Sequence, residues 1–221
     1  VSDPLTVLSA QCSQLLSLID EFSDADWERP TRCPPMDVRE LVVHVGQAAT
    51  GTARLAELDA SGREPNVDRA RWWVSPSRRP PAEILANAQR AASDLDAAGA
   101  AQLARERIDL MLATFGRRRP DDVVGTETRT VRADELAGSR VLEFGIHTMD
   151  LGHATLRGER ITPEAATFVT GILNVLLDAP LPAGLGWDAR TYILSGTGRR
   201  ELEPNERFAL GPLAAKFPLL R

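Results

Sequence analysis

The amino-acid sequence predicts a mainly α-helical protein with a small strand-containing region at its C-terminal end. Three observations carry this. Apolar residues recur at intervals of three and four along most of the chain, as on the buried face of a helix. Capping residues open the stripes, as at Asp3-Pro4 and Thr162-Pro163, and Pro- or Gly-rich connections separate them. After a Pro/Gly linker from Ala179 to Gly186 the pattern changes to Arg190-Thr191-Tyr192-Ile193-Leu194, a Ser195-Gly196-Thr197-Gly198 turn and a returning run from Arg199 to Leu202, which reads as a β-hairpin. Two regions follow, residues 1–180 and residues 187–221.

The first helix starts at the Asp3-Pro4 cap and carries Leu5, Leu8, Cys12, Leu15, Leu16 and Ile19 on one face, which places Cys12 in the core. Trp27, Pro30, Cys33, Pro34 and Pro35 then form a loop, because that proline density forbids a regular helix. Cys33 is either a thiol ligand or nucleophile, or, having no CxxC mate, neither. The second helix begins near Met36-Asp37 and bears Val38, Leu41, Val42 and Val45, with His44 among them. Glu40 lies four residues before His44, so this E-x-x-x-H pair is either a support for a ligand imidazole or a rival to a second such pair further on. Residues 60–81 make a long connection with Trp72-Trp73 at its centre, which lids a pocket or patches the bundle. A third helix is expected from Ala82 to Leu103, Ile108 to Phe115 is helix or strand, and Val123 to Thr130 is loop or short strand. The fourth helix runs from Ala133-Asp134 to Ala154. The fifth starts at Pro163 and carries Phe168, Val169, Ile172, Leu173 and Leu176.

Composition narrows the function. The 221 residues are 43% hydrophobic, which permits a sizeable core. A net charge of −5 argues against nucleic acid or an anionic membrane surface as the main partner. The basic runs Arg78-Arg79, Arg117-Arg118-Arg119 and Arg199-Arg200 are short and read as solubility. There is no apolar run of the roughly 18–20 residues a membrane span needs, and no signal peptide is read at the start. Two cysteines make no disulfide framework, so a reducing cytoplasm is expected. Abundant Arg and Ala beside a single lysine, Lys216, suggest a high-GC bacterial genome.

The chemistry concentrates in the fourth helix. Glu143 and His147 are four residues apart, about one turn, so both leave the same face. Asp150 lies near the same stripe, about two turns after Glu143. Val141, Leu142, Phe144, Ile146 and Met149 surround them, which sets the charged face inside a core, where an unpartnered carboxylate is costly. A metal ion meets that cost; so does a Glu–His hydrogen bond, and the plain alternative is a solvated face. The chain has three histidines. His153 points about 240° away from the Glu143–His147 face, which leaves His44 as the natural third donor. Two imidazoles and a carboxylate make a catalytic-type zinc set with an open position, and also suit iron(II), nickel or manganese.

Trp27…Pro30-Thr31-Arg32-Cys33…Val38-Arg39-Glu40-Leu41-Val42-Val43-His44-Val45, followed by Glu143-Phe144-Gly145-Ile146-His147-Thr148-Met149-Asp150-Leu151, resembles the mycothiol-dependent maleylpyruvate isomerase family, part of the DinB/YfiT-like metalloprotein superfamily. The resemblance implies a DinB-like four-helix bundle holding one divalent metal, usually zinc, on His44, Glu143 and His147. It implies mycothiol, the small thiol of actinobacteria, as cosubstrate. Pro34-Pro35-Met36 departs from the Gly-Trp-Thr usual before the second helix, Met149 replaces a usual Trp, and the region from Trp187 is shorter than the isomerase's second domain. The expected function is S-transfer to, or cis–trans isomerisation of, a small electrophile; the alternatives are a metal-dependent hydrolase and a non-catalytic ligand-binding or regulatory bundle. Asp150 is expected to orient a ligand imidazole or the thiol, and Arg117, Arg118 and Arg119 to hold a carboxylate at the mouth. The protein is expected to be a monomer or homodimer.

Overall fold

The structure, a computed structural model, describes residues 2–74 and 80–220. Pro76 and the Arg78-Arg79 run lie outside the described residues. The elements in order are α1 (Pro4–Asp20), α2 (Val38–Glu57), α3 (Arg71–Val74), α4 (Pro81–Ala92), α5 (Ala97–Phe115), β1 (Val123–Gly125), β2 (Thr130–Arg132), α6 (Ala133–Ala154), α7 (Pro163–Leu177), α8 (Ala189–Gly196) and α9 (Pro204–Leu210), with short 3-10 turns between them. Helices α1, α2, α5 and α6 form the four-helix bundle: α2 lies along α5, α1 along α6, and α4 rides on the outer side of α2. Helix α7 packs on α6 and carries α8. Among the described residues no helix is long and apolar enough to cross a membrane.

The helix starts follow from their caps. Asp3 Oδ2 accepts from Thr6 N at 2.9 Å, and Thr162 Oγ1 accepts from Ala165 N at 3.2 Å. At α2, Asp37 and Glu40 cap each other's backbone at 2.8 and 3.1 Å. Glu40 is therefore a capping residue and not a partner of His44. Cys12 is fully buried in the core, as its stripe predicts.

Two expectations are corrected and one left open is settled. The Ala-rich third helix is two helices: it breaks at Ser93–Asp96, where Asp96 caps α5 by accepting from Gly99 N at 2.7 Å. Alanine periodicity runs through the break and hides it. Ile108 to Phe115 is then the last part of α5. The second correction concerns the C-terminal region, where Arg190 to Leu194 lies in helix α8 and not in a strand. Asp188 caps that helix, accepting from Thr191 N at 2.7 Å, and Tyr192, Ile193 and Leu194 bury against α7. Tertiary burial overrides the β propensity of a Thr-Tyr-Ile run. Arg199 to Leu202 is irregular. The two-stranded antiparallel sheet is β1–β2, with Val124 opposite Val131, in the stretch left open as loop or short strand.

Helix α6 is the axis of the molecule. Of its 22 residues 18 are buried, so it is enclosed on nearly all sides. Its end is closed by a backbone contact: a Cβ at Gly152 would lie 2.0 Å from the carbonyl oxygen of Gly158. Backbone cannot move aside cheaply, so Gly152→Ala should destabilise the protein by about 1–3 kcal/mol, read as a lowered urea midpoint at unchanged m-value. An unaltered midpoint would show that this turn is not closely packed.

Candidate functional site

Glu143 and His147 stand one turn apart on α6, and His44 reaches them from α2. His44 Nε2 is 3.3 Å from Glu143 Oε1, and His147 Nε2 is 3.6 Å from the same oxygen. The two imidazole rings meet edge to face at 5.1 Å between centroids. The three side chains are 10–13% exposed, open on one side only. One donor atom from each lies within 4.8 Å of the others, so His44, Glu143 and His147 can reach one ion together. Among the described residues, Glu143 has no ion-pair partner except the two imidazoles. Burial pushes the Glu143 pKa up, but hydrogen bonds from His147 and His44 outweigh it and hold the carboxyl well below its usual range.

The other edge of the His147 ring faces a charge cluster. Its Nδ1 is 3.1 Å from Asp150 Oδ2, and Asp150 is fully buried. Arg199, from the segment after α8, donates to both oxygens of Asp150, from Nε at 3.2 Å and Nη2 at 2.9 Å. Cys33 Sγ donates to Asp150 Oδ2 at 3.3 Å and accepts from Arg199 Nη2 at 3.5 Å. Burial would raise the Asp150 pKa and lower that of His147. The mutual hydrogen bond, with Arg199 on one side and Cys33 and Glu143 on the other, reverses both: Asp150 is held far below its usual range and His147 well above its own.

Cys33, His147 and Asp150 form a second set of donors within 4.8 Å. That set fits a cation poorly, because both Asp150 oxygens already receive the Arg199 guanidinium, which an ion would have to displace. His44 and Glu143 of the first set line a cavity of about 460 Å³, and among the described residues no arginine or lysine pairs with Glu143. Trp72, Trp73, Arg129 and Arg140 wall that cavity. The Arg140 guanidinium lies 4.7 Å from the Trp73 ring centroid, and that of Arg129 lies 3.3 Å from the Trp72 centroid. Of the two readings for the tryptophan pair, the structure places both rings against the pocket.

His153 projects outward, its side chain 51% exposed. Arg117, Arg118 and Arg119 are not brought to the site. Arg118 donates to the Ala56 and Glu57 carbonyls at the far end of α2, thirteen residues or about 20 Å along the helix from His44. Arg119 pairs with Asp121, and Arg117 approaches Glu57 at 4.0 Å. The cationic groups at the site are instead Arg140, one turn before Glu143, Arg129 across the cavity, and Arg199. Spacing from Glu143 singles out Arg140; nothing in the sequence singles out Arg199. The Arg199-Arg200 run also has defined partners: Arg200 Nη2 donates to Glu206 Oε1 at 2.7 Å.

Fold and site together define a helical-bundle protein in which two histidines and a glutamate cluster beside a cavity lined by His44 and Glu143. The chain belongs to the mycothiol maleylpyruvate isomerase N-terminal domain family, whose model matches residues 8–152. A crystal structure of the mycothiol-dependent maleylpyruvate isomerase superposes with a TM-score of 0.55 at 20% identity, covering 84% of this chain and 72% of that one. A histidine-to-alanine mutant of that isomerase gives a TM-score of 0.52 at 18% identity, covering 79% of this chain and 66% of that one. At these identities the likeness speaks to the fold. No curated relative matches the sequence.

The charge cluster makes a pH signature. In protein freed of metal by chelator, the Glu143 and Asp150 contributions to stability are present above their ordinary values of 4.5 and 3.8 and are lost as pH falls through their lowered folded values. The His147 contribution is fully present below 6.5 and is lost as pH rises through its raised folded value. The urea midpoint of metal-free protein should therefore fall as pH rises above 6.5, and His147→Gln should remove that slope. A midpoint equally flat above pH 6.5 in both proteins would mean that His147 is neutral in the metal-free fold.

Proposed function

We propose that this protein is a metal-dependent enzyme that uses a low-molecular-weight thiol, mycothiol, to isomerise a small electrophilic alkene or to transfer the thiol to it. The observation that carries the reading is the clustering of His44, Glu143 and His147 donors beside a cavity that His44 and Glu143 line, in a chain of this family. The two-nitrogen, one-oxygen donor set suits a divalent ion, zinc above all, with a position left open. Such an ion, when bound, supplies a Lewis acid that favours the thiolate over the thiol near neutral pH.

The chain's own residues supply orientation and exclusion. Asp150 accepts the Nδ1 hydrogen of His147, which fixes the tautomer and directs the Nε2 lone pair toward the open side. Arg199 keeps Asp150 ionised and in place. Trp72 and Trp73 exclude water from one wall of the cavity, and Arg140 and Arg129 make it favourable for a carboxylate-bearing substrate. In the reaction the thiol sulfur bonds to one alkene carbon while the π electrons move onto the activating group. The resulting single bond rotates. Expulsion of the thiol restores the double bond in the other geometry; protonation of the carbon instead leaves the S-adduct. A thiol cosubstrate and two unpaired cysteines, Cys12 and Cys33, fit a reducing cytoplasm.

Protein purified without an affinity tag should hold about one divalent ion per chain, and His147→Ala should lose most of it, by elemental analysis. Metal-loaded protein given mycothiol and a panel of maleyl-type acids, activated alkenes and epoxides should yield isomers or S-adducts. His44→Ala should abolish that turnover and Cys33→Ala should keep most of it. Loss of turnover in Cys33→Ala with the ion retained would place the nucleophile on the protein and end the cosubstrate reading. Thiol-independent ester hydrolysis, lost in His44→Ala, would make the protein a hydrolase.

A further inference from the structure

Helix α2 contains two interior glycines that differ in what they face. A Cβ at Gly46 would come 2.7 Å from Leu103 Cδ2 and 3.4 Å from Ala104 Cα, so that glycine faces the packed α2–α5 contact. At Gly51 an added Cβ meets nothing within 4 Å, and the backbone is ordinary helix. Glycine is the poorest helix former after proline, and neither packing nor backbone conformation asks for it here. What the position does have is a place in a channel. Gly51, Gln47 and Asn87 line both the cavity that ends on His44 and Glu143 and a second one of about 390 Å³ whose outer end holds Arg54 and Arg90. The two are one groove between α2 and α4.

Sequence spacing explains the groove. His44, Gln47, Gly51 and Arg54 follow one another by three, four and three residues, a single stripe of α2 that spans about 15 Å from His44 to Arg54. Ile84, Asn87 and Ala91 make the facing stripe of α4. The inner end is walled by tryptophan rings; the outer end is polar. Gln47 Nε2 donates to the Asn87 carbonyl at 3.1 Å, and Arg90 Nη2 reaches Asn87 Oδ1 at a long 3.4 Å. Among the described residues nothing bonds to Gln47 Oε1 or Asn87 Nδ2, and neither Arg54 nor Arg90 has a carboxylate within ion-pair distance. Amide donors and acceptors, two guanidinium groups and a bare helix surface are the means by which proteins bind polyhydroxylated sugars.

We infer that the α2–α4 groove is the binding site for the sugar tail of the thiol, with Gly51 as the open step over which the tail passes from the metal-ligand cluster to Arg54 and Arg90. The inference rests on the thiol reading above and adds where the non-reacting part of the cosubstrate lies. A tail bound so far from the sulfur positions the thiol by binding energy not used in the chemistry.

The probe is the glucosaminyl-inositol portion of mycothiol with its cysteine removed, titrated by calorimetry into metal-loaded protein. Wild type should bind it. Gly51→Leu should weaken binding at least tenfold and raise the melting temperature, because the side chain fills the groove while improving the helix. Gly51→Ala should raise the melting temperature with a smaller loss of binding, and Asn87→Ala should weaken binding by about fivefold, the worth of one hydrogen bond. In parallel, the cobalt-substituted protein is mixed with N-acetylcysteine, which has no sugar tail, and the sulfur-to-cobalt absorption band is recorded. The band should be equal in wild type and Gly51→Leu. Failure of wild type to bind the tail, or equal binding by Gly51→Leu, overturns the groove assignment whether or not the band appears. Absence of the band in wild type removes the thiol reading, while calorimetry still decides the groove.

Discussion

The fully buried carboxylate of Asp150 constrains the rest of the structure. A charge with no access to water must be matched by partners at hydrogen-bond distance, and α6 alone offers it only His147. The remaining partners come from far along the chain: Cys33 from the loop before α2 and Arg199 from the segment after α8. One buried charge therefore draws the loop, the bundle and the C-terminal region to one point. Removing a single partner from such a cluster typically costs about 3–5 kcal/mol, because the charge left behind has nowhere to go. A second knot lies beside it: the Glu159 side chain, 3% exposed, pairs with Arg32, the neighbour of Cys33, and with Arg190 at the start of α8.

The C-terminal region is held by a similar arrangement of its own. Glu206 accepts from Trp187 Nε1 and Arg200 Nη2, each at 2.7 Å, and from Glu203 N at 2.8 Å. Its carboxyl is lowered to about 2, first by Arg200 and against the opposing effect of burial. Adjacent arginines thus face opposite ways, Arg199 into the bundle and Arg200 into the C-terminal helices. The small region is fastened to the site at one residue and to itself at the next.

The bundle was legible because its signals are local. Caps at Asp3, Asp37 and Thr162 and the apolar stripes behind them need no tertiary knowledge, and the one-turn spacing of Glu143 and His147 is fixed by helix geometry alone. His44 was legible by elimination among three histidines. What stayed hidden was long-range. The Ser93–Asp96 break carries no glycine or proline to mark it. Tyr192-Ile193-Leu194 has strand propensity and becomes helical because Asp188 caps it and α7 covers it. Cys33 looked like an isolated loop thiol, since Asp150 stands 117 residues away, and Arg199 reaches the same carboxylate across 49. The Arg117–Arg119 run misled for the converse reason: in a conspicuous local charge cluster, Arg118 bonds α2 carbonyls at the end of the helix away from His44, and its neighbours pair locally.

His147 sits where the two halves of this design meet. One edge of its ring belongs to the charge cluster that holds the chain together; the other faces Glu143 in the donor set. With no ion bound the ring is pushed toward the imidazolium by Asp150 and Glu143, and its two N–H groups face one carboxylate each, Nδ1 toward Asp150 and Nε2 toward Glu143. A divalent ion on His44, Glu143 and His147 must displace the proton, because a protonated nitrogen has no lone pair to give. Such an exchange would leave Nδ1–H on Asp150 and free Nε2, so the structural hydrogen bond would survive. Under the metal reading, proton and ion would be alternative occupants of one position in a fold that needs positive charge there. Ion affinity, folding stability and pH are then linked through a single imidazole, and a variant that alters one of them alters all three.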